Sequence, residues 1–100
     1  MANYKLTEFA KEDFRRIYRY GVISYGEKQA DLYFDALFER FAEIAEIPLK
    51  YQSVDYIREG YRRSVCGVDN IFYRIFDGNV EIVSIIGGRD IDSLLLSRDL

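Results

Sequence analysis

The chain has 100 residues, of which 49% are hydrophobic and 16% aromatic, and its formal net charge is −3. That length suits a single domain, and the apolar content excludes a disordered chain. The charge argues against a protein that chiefly grips nucleic-acid backbone, and the absence of His removes imidazole chemistry.

In chain order, Asn3-Tyr4-Lys5-Leu6 alternates and reads as a short strand, with Thr7 placed to cap a following helix. From Glu8 to about Tyr20, Ala10, Phe14 and Ile17 recur at helical spacing, and Glu12 and Arg16 stand four apart as a helical ion pair would. Gly21 and Gly26 bracket an expected break, with Val22-Ile23-Ser24-Tyr25 as connector. A second helix follows. Ala30, Tyr33, Phe34, Leu37, Phe41, Ile44 and Ala45 form a wide apolar stripe, and Pro48 ends it. Phe34, Leu37, Phe41 and Ile44 are therefore expected core residues. The two helices should make an antiparallel hairpin across one face of a sheet.

Lys50 to Asp55 reads as a polar connector, Ile57 to Val65 as a strand weakened by Gly60, and Cys66 to Asn70 as a turn. Then comes the segment that the rest of the chain covers. Residues 71–76 and 80–86 are rich in β-branched and aromatic side chains, and Asp77-Gly78 between them supplies a tight hairpin turn. Ile71, Tyr73 and Ile75 should face one way, with Val80, Ile82, Ser84 and Ile86 sharing one side of the partner strand. Neither strand has a fully polar face, so the hairpin belongs in the middle of its sheet. The fold class is α+β: an N-terminal strand, an αα-hairpin and a three-stranded antiparallel sheet with the helices on one face. After Gly87-Gly88 the chain ends in a short apolar tail holding Leu94, Leu95 and Leu96, which needs a partner surface.

Cys66 stands alone, and neither a secretion signal nor a membrane-length apolar run is visible, so a reducing bacterial cytoplasm is expected. Residues 58–76 hold the only basic patch, Arg58, Arg62, Arg63 and Arg74 against Glu59 and Asp69. Arginine is a poor proton carrier, and with no His to pair with Tyr73 a catalytic set is hard to assemble. No catalytic residue, metal site or cofactor is expected. The ordinary role of each arginine is to sit solvated or to pair with a carboxylate.

The order of elements, together with Tyr4-Lys5-Leu6-Thr7, Asp13 through Ile17, Tyr25 through Ala30, Phe41 through Ala45 with Pro48, Ile57 through Arg62, Ile71 through Arg74 and Glu81-Ile82, resembles the ParE branch of the RelE/ParE toxins of type II toxin–antitoxin systems. The resemblance implies a toxin that traps the cleaved complex of DNA gyrase and is neutralised by a ParD-like antitoxin laying a helix and an extended segment against it. A RelE-like mRNA endoribonuclease, or a degenerate toxin that only binds its antitoxin, are the alternatives. Arg58, Tyr61, Arg62, Arg63, Arg74 and Arg89 are the residues expected to touch the target, and Tyr18, Tyr20, Leu94, Leu95 and Leu96 those expected to touch the antitoxin. No membrane and no sequence-specific nucleic-acid contact is expected. Family members commonly carry His where this chain has Asn70 and Gly87.

Overall fold

The computed structural model of the chain describes residues 3–87. Strand β1 (Tyr4–Leu6) leads into helix α1 (Glu8–Tyr25) and helix α2 (Glu27–Glu46); β2 (Gln52–Ser53), β3 (Tyr61–Cys66), β4 (Asp69–Phe76) and β5 (Asn79–Gly87) follow. The strands form one sheet in the order β1-β5-β4-β3-β2, in which β1 runs parallel to β5 and the other neighbours are antiparallel. The α+β reading holds, but the three-stranded unit is widened at both edges. β1 joins beside β5, and the connector at Lys50 to Asp55 contributes β2, an exposed two-residue strand too short to leave a periodic signal. Arg89 and the Leu94–Leu96 run lie outside the described residues.

The central hairpin is as expected in its turn and corrected in its register. Asp77 and Gly78 both have left-handed backbones, φ 53° and 79°, the pair of values that closes a two-residue hairpin with the right twist. Phe76 then pairs with Asn79 and Arg74 with Glu81. Between Phe72 and Tyr73 the register shifts: Tyr73 opposes Ile82 but Phe72 opposes Ser84, so Val83 is an extra residue. This bulge resets the alternation of β5. Val80, Ile82 and Ile85 share the core beneath the helices, while Val83 and Ile86 pack on the opposite face, so the expected grouping of Ser84 and Ile86 with Val80 fails.

Helix α1 begins where the sequence places it, with Thr7 Oγ1 accepting from Ala10 N at 3.1 Å. It does not break at Gly21. The helix runs on to Tyr25, and Gly21 lies so close to α2 that an added Cβ would sit 3.3 Å from that of Ala30. The whole elbow is one residue, Gly26, whose φ of 90° is open to glycine and strained for other residues. The Glu12–Arg16 pair gives way to Arg16 beside Asp13, at 3.5 Å.

Farther on, β3 starts at Tyr61 and not at Ile57. Ile57 N and Arg58 N both bond Val54 O, and Gly60, with φ 84°, donates its N–H to Asp55, which makes residues 54–60 a closed turn. The β3–β4 turn shrinks to Gly67-Val68, because Asp69 and Asn70 already pair across it with Cys66 and Val65.

The two faces hold two cores. Under the helices, Leu37, Phe41 and Ile44 are fully buried against Ile71, Tyr73 and Ile82, as the stripe requires. Phe34 is only half-buried, at the outer edge of an aromatic row in which its ring stands 3.8 Å from that of Phe14. On the other face a smaller cluster gathers Val54, Tyr61, Phe72, Val83 and Ile86.

Candidate functional site

The basic residues sit on β3, β4 and the turn before them, and strand geometry divides them between the two faces. Arg63 and Tyr61 pair across the ladder with Phe72 and Arg74, so all four share the face away from the helices. Arg62 pairs with Tyr73 and turns to the helix side, where its Nη1 donates to Tyr51 O at 2.7 Å. The structure therefore brings Tyr61, Arg63 and Arg74 together, with Arg58 close enough to Tyr61 to act on its phenol, and removes Arg62 from the group.

None of these cations stands as a bare charge. Arg74 Nε donates to Glu81 Oε1 at 2.8 Å in a half-buried ion pair, and its guanidinium lies 4.7 Å from the centre of the Phe76 ring. Arg63 Nη2 reaches Gln52 Oε1 at 3.1 Å. Tyr61 is nearly buried, and burial pushes its phenol above the usual value while Arg74 and Arg58 pull the other way. Its hydroxyl thus keeps its proton at neutral pH. Glu81 joins this cluster, and the sequence reading left it out. Its signal was present: a two-residue turn at Asp77-Gly78 places Glu81 opposite Arg74.

The second surface lies on the outer side of the helix pair. Arg15, Tyr18, Arg19, Val22 and Ile23 of α1 and Phe34 of α2 line an apolar groove of about 430 Å³. Tyr18 is held there by its hydroxyl, which donates to Asp31 Oδ1 at 2.8 Å, and by its ring against Phe34. Tyr20 is exposed beside Tyr25 at the elbow, off the groove itself. The break expected at Gly21 hid this groove, since Val22 and Ile23 line it only because α1 continues.

Asn70, where the family often has His, is buried and donates from Nδ2 to Ile86 O at 3.2 Å, an exchange that ties β4 to the end of β5. Cys66 is buried too, and burial raises its thiol pKa, so it is a poor nucleophile. Among the described residues no helix is long and apolar enough to cross a membrane.

Comparison with known proteins bears on the family and the fold. The family model described as the ParE toxin of the type II toxin–antitoxin system parDE matches residues 4–92. Toxin ParE1 of Caulobacter vibrioides is 35% identical over 86 residues, spanning 86% of this chain and 88% of that protein. A solved structure of a chromosomal ParDE toxin–antitoxin system from P. aeruginosa superposes with a TM-score of 0.76 over 87% of this chain and 96% of the other; at 18% identity it speaks for the fold. The chain belongs to the ParE toxin family of type II toxin–antitoxin systems.

Proposed function

We propose that this protein is a cytoplasmic toxin that acts by binding and not by catalysis: it inhibits DNA gyrase by trapping the cleaved DNA complex, and a ParD-like antitoxin neutralises it. The observation that carries the reading is the match to the ParE toxin family along residues 4–92. The chemistry of the arginine face supports it. With no His in the chain, a Tyr61 phenol held protonated by burial and the Glu81 carboxylate already engaged by Arg74, the face offers mainly donors and positive charge. Arg58, Tyr61, Arg63 and Arg74 form the target surface, and Arg89 and Arg62 remain candidates from the sequence.

The antitoxin takes the other side. The groove between α1 and α2 is apolar at its base and carries Arg15 and Arg19, which suits an amphipathic helix with acidic flanks. Tyr18 lies in that contact and Tyr20 at its rim, with Leu94, Leu95 and Leu96 as a further handle. The test is a supercoiling and cleavage assay with purified gyrase, run beside a reconstituted translation reaction. Accumulation of cleaved DNA with intact mRNA is the expected result. Cleavage of ribosome-bound mRNA with gyrase untouched would overturn it.

A further inference from the structure

On the sheet face away from the helices, Val65, Asn70 and Ile86 are cross-strand neighbours in one row over β3, β4 and β5. Their exposure is sharply graded. Val65 is 57% exposed, Asn70 7% and Ile86 0%, and Phe72, next on this face of β4, is also fully buried. An antiparallel sheet leaves a face to water where that face is polar, and this one is apolar. Its hydrophobic cluster takes members from the strands and, through Val54 and Ile57, from the turn at 54–60. That turn closes on Tyr61, with Val54 N donating to Tyr61 O at 2.8 Å. The start of α1 reaches the face at the same end, beside Tyr61, Arg74 and Val83. Tyr61 lies four residues along β3 from Val65, about 13 Å at the rise of a strand. Among the described residues neither element therefore extends to the Asn70–Ile86 end. The cover there lies over β5 and β4 and stops short of β3.

We infer that residues 88–100 of this chain fold back over β5 and β4 and set Ile91 and Leu94–Leu96 against Ile86 and Phe72. Ile86 is fully buried in a single chain, so the cover belongs to that chain and a second copy is not needed to supply it. The chain leaves β5 at Gly87, next to the shielded row, and continues through Gly88, which suits a reversal. Leu94 stands seven residues past Gly87, a reach of up to about 25 Å. That is enough to cross two strands about 4.8 Å apart and run back along them. The apolar residues of the tail are too few to hold a structure alone, and burial against this face stabilises both sides of the contact. The leucine run named above as an antitoxin handle thus has its first partner within the toxin itself.

NMR on the full chain, with Ile, Leu and Val methyl groups and Phe rings labelled, tests the docking. Cross-relaxation from the methyls of Leu94–Leu96 to the methyl groups of Ile86 or the ring of Phe72 is expected, and it should persist when labelled chains are diluted into unlabelled ones. Leucine methyls at random-coil shifts with no contact to Ile86 or Phe72 would overturn the proposal. Contacts that appear only between differently labelled molecules would do the same, since they would make the occupant a second copy. Leu94→Ser, Leu95→Ser and Leu96→Ser together should lower the urea midpoint and raise the binding of an apolar dye, and a midpoint at the wild-type value would count against the docking as decisively. The contacts in the unmodified chain decide the matter even where the serine variant fails to fold. Neither measurement contains gyrase or antitoxin, so the outcome is separate from that of the toxin reading.

Discussion

Asp13 carries more of the fold than its place on a helix implies. β1 pairs with β5 only as far as Ile82, so among the described residues no strand lies beside the outer edge of β5 beyond that point. Side chains at the start of α1 take over: Thr7 Oγ1 donates to Val83 O at 2.6 Å, Asp13 Oδ2 accepts from Ile85 N at 3.0 Å, and Arg16 Nη2 donates to Ile85 O at 3.2 Å. Buried backbone groups left without partners are costly, so Asp13→Ala should destabilise by about 1–3 kcal/mol, and Asp13→Asn, which keeps an acceptor, by less. A denaturation midpoint unchanged in Asp13→Ala would show that water replaces the carboxylate. Tyr73 makes a second single-residue forecast. Its hydroxyl donates to Pro48 O at 2.6 Å, and burial pushes its pKa up to about 12, against a partial opposing effect of Arg62. The unfolded chain loses this proton near pH 10 and the folded one near 12, so the folded state retains it longer and loses stability as pH rises through that window. Tyr73→Phe should flatten the alkaline fall in stability between those pH values, read by urea midpoints across the range.

At the scale of elements, the β3–β4 turn is locked to α2. The single hydroxyl proton of Tyr33 is shared between Cys66 O at 2.8 Å and Asp69 Oδ2 at 2.7 Å, and its ring lies against Gly67. A Cβ at Gly67, φ 59°, would come within 2.5 Å of that ring, whereas at Gly78, φ 79°, it would meet open space. Both Gly→Ala changes should cost the about 1–3 kcal/mol of a left-handed backbone, and Gly67→Ala should cost clearly more because the ring must move. Equal losses would mean that the turn floats free of α2. In the stripe of α2, Phe41→Ala should cost about 3–5 kcal/mol, since the ring is fully buried against Tyr4 and Phe14; an unchanged melting temperature would place it at a partner surface. Long periodic elements such as this one were legible in the sequence because many residues repeat the same signal. The misreadings fall where one residue decides. Gly21 looks like a breaker and is a packing residue, and Val83 continues an alternating strand by type while its extra place in the register reverses everything after it.

For the molecule as a whole, the sequence located the basic segment but not its division between two faces. That division depends on where β3 begins and therefore on the closed turn at 54–60, which tertiary hydrogen bonds define and periodicity does not. The consequence separates two neighbours that sequence reasoning treats alike. Arg62 lies on the helix side, bound to Tyr51 O, with Tyr51 in turn packed on the main core and its ring 6.4 Å from that of Tyr73. Arg63 lies on the opposite face, and its side-chain hydrogen bond among the described residues is to Gln52 at an exposed edge. Reversing charge at Arg62 removes a donor from a half-buried carbonyl and sets a carboxylate beside it, so Arg62→Glu should lower stability by about 1–3 kcal/mol. Reversal at Arg63 touches nothing the fold depends on and should shift stability by less than about 0.5 kcal/mol. If the second face is the toxic surface, Arg63→Glu should abolish growth arrest on induction without antitoxin while its melting temperature stays at the wild-type value, and Arg62→Glu should lose activity only in step with its lost stability. Full toxicity in a folded Arg63→Glu protein would move the target surface away from this face, and the helix groove would then be the place to search for it.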